Sequence, residues 1–271
     1  MKTLILGSEG QLGRELLRIF PGAVQAGHSG EFGIDITNEQ KISEFIEVHT
    51  PDLIINASAM TNVDKCEDDK NLALQTNGYA VKNIVKNAKM FGSYFVQIST
   101  DYVFDGKVGK YKEDSVPNPV NFYGLSKLIG DTFAQCYSGS LIVRTSGVFG
   151  HANNFPRFAY NTLRGGKTLN VIDGHYSPIH ARSLAKSIGE LVKLRTIGII
   201  NVSGERISRR ELALKLCEMY RFDTSLIEVD VGKLAFKAKR PSDSSLDISM
   251  AKKIIPFDFY SSELNLKLLS E

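Results

Sequence analysis

Residues 2–13 read Lys2-Thr3-Leu4-Ile5-Leu6-Gly7-Ser8-Glu9-Gly10-Gln11-Leu12-Gly13. Lys2 to Leu6 is an apolar strand that runs straight into a glycine-rich turn. Leu12, Leu16, Leu17 and Phe20 then follow helical spacing, and Pro21-Gly22 ends the helix. A glycine turn between strand and helix lets backbone approach a pyrophosphate, with the helix N-terminus facing the anion. The spacing is G-x-x-G-x-x-G, one residue longer than the most familiar dinucleotide fingerprint. The alternative is a plain tight turn.

The strand–helix order then repeats. Ala23 to Ala26 is a short strand closing on Gly27-His28-Ser29, and Gly33 to Ile36 reads as another. Thr37 and Gln40 form a capping-box pattern for a helix carrying Ile42, Phe45 and Ile46, stopped by Pro51. Asp52 to Ala57 is too apolar to alternate, as in a parallel sheet covered on both faces. A long helix is expected over about Asn71 to Met90, with Leu72, Ala73, Ala80, Val81, Ile84 and Val85 periodic. Asn77 lies among these apolar residues. It is either a satisfied buried amide or a support for a site through a water, and spacing does not separate the two.

Further strands fall at Tyr94 to Ile98 and Leu141 to Thr145, with a helical pattern opening at Tyr123 between them. This order predicts an α/β fold with a doubly wound parallel sheet. In such sheets ligands bind at the carboxyl ends of the strands. Gly7 to Gly13, Ala57 to Met60, Ser99 to Tyr102 and Ser146 to Gly150 all sit at such ends. After Gly150 the alternation loosens and returns in part from His180 to Gly204. Short strands are expected near 167–172, 198–202 and 226–229, and helices begin near His151, around Leu184 and at Ser208. The expected division is a nucleotide-binding domain of 1–150 and 180–220 and a smaller substrate-binding domain of 151–179 and 221–271.

Composition narrows the class. The 271 residues are 42% hydrophobic and 23% charged, with net charge +3 and both signs interspersed. Nothing there points to nucleic acid or a membrane surface as partner. No apolar run approaches the ~20 residues of a membrane span, and the short N-terminal apolar run reads as a strand, not a signal peptide. Cys66, Cys136 and Cys217 are scattered with no C-x-x-C, so neither a disulfide framework nor a zinc site is indicated. A cytoplasmic location follows as the default.

The chemistry lies between Tyr94 and Lys127. The strand ends in Ser99-Thr100-Asp101-Tyr102, and Tyr123-Gly124-Leu125-Ser126-Lys127 opens the next helix. Tyr123 and Lys127 are one turn apart on one helical face. A phenol near its reference pKa of ~10 is a poor acid at neutral pH. A neighbouring ammonium stabilises the phenolate, and a phenol so tuned can protonate a carbonyl oxygen while hydride arrives at carbon. Thr100 or Ser99 could hold that oxygen. Tyr-x-x-x-Lys also occurs by chance on many helices, so its weight rests on its company.

That company is GSEGQLG, the DIT at Asp35, NASAMTNVDKCE, ISTDYVFDG, YGLSK, RTSGVFG, the NNF at Asn153 to Phe155, and KRPSDSSLD. With these, almost the whole chain resembles the extended short-chain dehydrogenase/reductases, most closely the dTDP-4-dehydrorhamnose reductase family, whose sheet is of the Rossmann type. The resemblance implies that Thr100, Tyr123 and Lys127 are the hydroxyl, the proton donor and its lysine, with Lys127 also on the nicotinamide ribose. It implies that Gly7, Gly10, Gln11, Leu12 and Gly13 surround the pyrophosphate. Asp35 and Ile36 would border the adenine, and Ala57, Ser58 and Ala59 would line the cofactor. Tyr102 would face the sugar, with Asn153 and Asn154 as further substrate contacts. Arg240 could neutralise phosphate, although a solvated arginine is the plainer reading.

The expected substrate is therefore a nucleotide-linked 4-keto-6-deoxy sugar, first of all dTDP-4-dehydro-L-rhamnose. The expected cofactor is NADP(H), or both nicotinamides, NAD(H) included. An acid closing the second strand would hold the ribose of NAD and repel a 2′-phosphate, and His28 and Ser29 stand there instead. A competing reading makes Asp35 that acid. Gly147 stands where the family has Trp, and Met60 where an aromatic residue is usual. Phe149, Phe155 or Tyr176 would have to fill the space, or the pocket takes another sugar. Glu15 matches a metal-binding carboxylate of some relatives, but the segment near Arg182 is basic, so no metal is expected; a homodimer is left open. A second reading also stays open. The regulatory β-subunit of methionine adenosyltransferase resembles the same family and binds a nucleotide and a partner enzyme without catalysis.

Overall fold

A computed structural model of the chain describes residues 1–28, 32–152, 154–229 and 236–270. Ser29 and Asn153 lie outside the described residues. The first half runs β1 (Thr3–Leu6), α1 (Gln11–Ile19), β2 (Val24–Ala26), α2 (Glu39–His49), β3 (Leu53–Asn56), α3 (Val63–Asp68), α4 (Lys70–Leu74), α5 (Ala80–Phe91), β4 (Tyr94–Thr100), α6 (Phe122–Gln135) and β5 (Ser140–Thr145). The second runs β6 (Val148–Phe149), α7 (Phe155–Arg164), β7 (Leu169–Val171), β8 (His175–Tyr176), β9 (Ile179–His180), α8 (Ala181–Lys193), β10 (Gly198–Asn201), β11 (Ile207–Ser208), α9 (Arg209–Tyr220), β12 (Ile227–Val229), α10 (Ser249–Ile254) and α11 (Ser262–Lys267).

Among the described residues the main sheet has six parallel strands in the order β10-β5-β4-β3-β1-β2. The order reverses between β1 and β3, which makes their carboxyl ends the switch point of a doubly wound sheet. The apolar strands explain themselves by period two. Ile5, Leu53, Ile55, Val96, Leu141 and Val143 point to a core shared with α1, α8 and α10. Leu4, Leu6, Ile54, Phe95 and Ile142 point the other way, into a core with α2, α5 and the end of α6. Both faces are covered, so the strands need no polar side. A further core joins α7, β7, α9 and α11 around Tyr160, Leu163, Leu169, Leu212, Leu216 and Leu266. Thus α9, expected on the sheet side of the division, packs beyond it. No helix among the described residues is long and apolar enough to cross a membrane.

Three local expectations need correction. Among the described residues Gly33 to Ile36 is not a strand: there only Gly33 bridges, to Gly27, and Asp35 Oδ1 accepts from Thr37 N (2.9 Å) and Thr37 Oγ1 (2.7 Å). A short side chain that bonds its own backbone competes with a sheet ladder. Thr37 being so engaged, the cap of α2 is Asn38, which accepts from Lys41 N at 3.0 Å. The long helix at 71–90 is interrupted by a π-helical turn, Gln75–Tyr79, and Leu72 is exposed. The turn swings Asn77 inward. There α6 comes so close that a Cβ at Gly130 would lie 2.2 Å from Asn77 O.

At the switch point the fit is tighter still. A Cβ at Gly13 would fall 2.1 Å from Gly7 O and 2.7 Å from Ser8 Cα, both backbone atoms. Gly13→Ala is expected to cost about 1–3 kcal/mol of stability through overpacking, read as a lower urea midpoint. An unchanged midpoint would show that the turn can open freely.

Candidate active site

The strand ends surround a cavity of about 550 Å³. Its floor is the glycine turn. Gly7 takes φ +77°, and its N–H donates to Ala26 O at 2.7 Å. Gly10 precedes α1 in extended conformation and supplies no side-chain cap. The first N–H groups of α1 are therefore left for an anion at the positive end of the helix dipole. Gly10, Gln11, Leu12 and Gly13 line the cavity, and so do Ala57, Ser58 and Ala59 after β3. Gly7 shapes the turn from beneath: a Cβ there would meet Ser58 N at 2.7 Å. A backbone cradle that side chains would fill, beside a free helix start, fits a dinucleotide pyrophosphate. Asp35 and Ile36 do not line the cavity. Ile36 is buried in the sheet core, and Asp35 is exposed with its carboxyl held below the usual range, first by the Thr37 hydroxyl.

The opposite wall comes from β4 and α6. Asn121 accepts from Gly124 N (2.9 Å) and Glu67 from Phe122 N (2.7 Å), which fixes the start of α6. A Cβ at Gly124 would sit 2.0 Å from Tyr102 O, so only glycine lets α6 lie this close to the end of β4. Thr100, Tyr123 and Lys127 are thereby brought to one cavity. Lys127 is 2% exposed and its Nζ donates to Ile98 O at 2.7 Å. Burial pushes its ammonium down to about 8, against the charge of Asp131 one turn along. Asp131, fully buried, accepts from Ser99 Oγ at 2.5 Å and faces Arg144 Nε at 3.9 Å.

The Tyr123 phenol does not titrate in the direction expected from its lysine. Burial pushes it above its ordinary value, the Thr100 hydroxyl pulls it back, and Asp101 and Tyr102 raise it further. In the protein alone Tyr123 therefore keeps its proton. Sequence reasoning missed Asp101. Its buried carboxylate accepts from Ser146 Oγ (2.6 Å), Ser244 Oγ (2.5 Å) and Thr100 Oγ1 (3.1 Å), and joins β4, β5 and the chain after Pro241. Burial holds that carboxyl above the usual range, and the Ser146 and Ser244 hydroxyls work the other way.

Tyr102 stands edge-on to Tyr123 with ring centroids 5.8 Å apart. Beyond it lies a second cavity of about 160 Å³, sharing Tyr102, Gly147 and Asn154 with the first. A Cβ at Gly147 would touch the Tyr176 ring at 3.1 Å, so Tyr176 occupies the space beside this glycine. Phe149 is buried in the further core, and Phe155 lines the second cavity. Arg209 lies over Tyr176 at 4.9 Å and Phe155 at 5.7 Å, a cation that no spacing signal revealed. Asn154 caps α7 and donates to Gln11 Oε1 at 3.3 Å. Arg240 lines neither cavity: it pairs with Asp64 at 3.1 Å and covers Phe236. Glu15 is engaged by Arg18 (2.7 Å) and Arg182 (3.6 Å).

Asn77 bonds directly. It accepts from Met60 N (2.8 Å) and donates to Met60 O (3.1 Å) and Ser126 Oγ (3.0 Å), tying the loop after β3 to α6. Asn77→Ala would strand those groups, and a loss of about 1–3 kcal/mol is expected. A native urea midpoint in that variant would contradict the tie.

Comparison with known proteins places this geometry. A family model described as RmlD substrate binding domain matches residues 1–269. The structure of a hypothetical dTDP-4-dehydrorhamnose reductase from Sulfolobus tokodaii superposes with a TM-score of 0.92 at 49% identity, covering 96% of this chain and 97% of that one. A dTDP-4-dehydrorhamnose reductase from Bacillus anthracis str. Ames, solved in complex with NADP, gives a TM-score of 0.89 at 27% identity over 100% and 99% of the two chains. The dTDP-4-dehydrorhamnose reductase of Aggregatibacter actinomycetemcomitans is 31% identical, covering 100% of this chain and 99% of its own.

Proposed function

The chain belongs to the RmlD substrate binding domain family, and on that premise we propose that it is an oxidoreductase for the C4 ketone of a nucleotide-linked 6-deoxy sugar. The substrate is dTDP-4-dehydro-L-rhamnose, the product is dTDP-L-rhamnose, and the reductant is NADPH, with NADH as the second nicotinamide donor. The bound nicotinamide supplies the hydride. The glycine turn and the start of α1 hold its pyrophosphate. Thr100 and Tyr123 receive the ketone oxygen, and Tyr123 gives it a proton. Lys127 binds the nicotinamide ribose, and its charge supports the phenolate that Tyr123 leaves behind. Tyr102, Asn154 and the second cavity take the sugar nucleotide. The one observation that carries the enzyme over a partner-binding regulatory subunit is that Thr100, Tyr123 and Lys127 all meet one cavity with the glycine turn.

The three cysteines are free, Cys66 and Cys217 buried and Cys136 exposed. A reduced cytoplasmic setting suits them. The chain divides near residue 150, with the core around α7 and α9 on the sugar side, and two copies pair as a homodimer, which sedimentation would measure.

The defining assay supplies NADPH and the enzymatically made 4-keto sugar nucleotide and follows loss of reduced nicotinamide. Turnover of a differently decorated keto-sugar, with none of this ketone, would remove the rhamnose assignment. Tyr123→Phe is expected to lower turnover by roughly 10²–10⁴ while NADPH affinity stays near native; near-native turnover would refute the proton donor. The pH profile carries its own sign. Lys127 is charged below about 8 and loses its proton above it, so kcat/KM should fall as pH rises through that value. A profile flat to about pH 9 would mean that the charge of Lys127 does not support the phenolate.

A further inference from the structure

Arg240 is spent on Asp64 and lines neither cavity, but another guanidinium does. Arg209 opens α9 and is half-buried against the second cavity. Its guanidinium lies over the Tyr176 ring at 4.9 Å and the Phe155 ring at 5.7 Å, and both rings line that cavity too. Rings hold a guanidinium in place without using its five N–H donors. Among the described residues the Arg209 side chain has no ion pair and donates no hydrogen bond. The acids near it in the fold are engaged elsewhere. Asp243 pairs with Arg206 at 2.8 Å, and Glu211 accepts from Ser208 N at 2.7 Å. Asp101, the one carboxyl lining the cavity among the described residues, faces the hydroxyls of Thr100, Ser146 and Ser244. Tyr176 adds a buried hydroxyl with no hydrogen-bond partner among the described residues. A free guanidinium fork and an unpaired hydroxyl on one wall call for an anion with several oxygens.

Which anion stands there follows from the reading of the site as a keto-sugar reductase, on which this inference rests. In a pyranose C1 lies across the ring from C4. A C4 ketone with its oxygen at Tyr123 therefore turns C1 away from Tyr123. Tyr102 and Gly147 line both cavities, so a sugar seated at Tyr123 leads past them into the second. The group carried on C1 is the diphosphate. We propose that Arg209 is the residue that binds it: the guanidinium fork takes phosphate oxygens from the shelf made by Tyr176 and Phe155. The ring that fills the space beside Gly147 thus carries the cation that recognises a nucleotide-linked sugar over a free one.

The test is calorimetric titration of dTDP into the native protein, Arg209→Gln and Arg209→Lys, with NADPH titrated separately into each. Arg209→Gln is expected to weaken dTDP binding by at least about tenfold, the order of one lost charge-assisted contact. NADPH affinity should stay within about twofold of native in both variants, since Arg209 lies outside the large cavity. Arg209→Lys keeps the charge and loses the fork, so its dTDP affinity should fall between native and Arg209→Gln. A dTDP loss below tenfold in Arg209→Gln, an NADPH loss that matches it, or a lysine variant no better than the glutamine one overturns the assignment and leaves the reductase reading intact. Tenfold weaker dTDP binding in a protein that oxidises no NADPH with the 4-keto sugar nucleotide upholds Arg209 and removes the reductase reading. Native protein that does not bind dTDP overturns the Arg209 assignment together with the thymidine-linked substrate.

Discussion

A cation is held here where almost no water reaches it. Lys127 is 2% exposed, and bringing an ammonium that deep is costly unless the surroundings replace its hydration. The protein does so with the Ile98 carbonyl and with Asp131 one helical turn away. Asp131 is itself buried and answered by Ser99 and by Arg144, which donates to Glu113 O at 3.1 Å and lies over the Phe104 ring. The chain of charges therefore runs from the site through α6 and β5. It can exist only because α6 lies close on the sheet, and that closeness depends on glycines where side chains would strike backbone.

The same closeness explains the behaviour of Tyr123. A phenol packed between Thr100, Asp101 and Tyr102 is harder to ionise, whatever lysine stands a turn below. The site is thus arranged to keep the proton until there is somewhere for it to go. The ionised partner at neutral pH is Lys127, whose charge matters after the proton leaves. Asp101 organises the hydroxyls of Thr100, Ser146 and Ser244 without facing solvent, so one buried carboxyl aligns three segments far apart in the chain.

On the sugar side the chain solves a packing problem in its own way. With no Trp in the sequence and glycine at position 147, the space is taken by Tyr176 from a distant short strand. Its hydroxyl is buried without a hydrogen-bond partner among the described residues, and Arg209 stacks on its ring. A pocket wall that an indole would make apolar is here a phenol under a guanidinium, with polar capacity to spare.

What the sequence by itself determined is what local geometry governs. Apolar runs such as Leu53 to Ile55 read as covered strands, and Tyr123 and Lys127 shared a face because helical spacing is local. The strand–turn–helix at Gly7 to Gly13 was legible for the same reason. The cap of α9 at Ser208 was legible too, and Glu211 three residues on stands at the spacing of a capping box, which the structure forms. Tertiary structure decided everything that needed a partner far along the chain. Gly33 to Ile36 had strand-like residues but gained only one bridge among the described residues, so the Asp35–Thr37 bond won. Asn77 turned on Met60 and Ser126, 17 and 49 residues away. Asn154 met Gln11 across 143 residues. Arg209 gave no signal until the fold set it over Tyr176 and Phe155. Periodicity records which face a residue takes, but the neighbour across that face is chosen by the packing of whole elements.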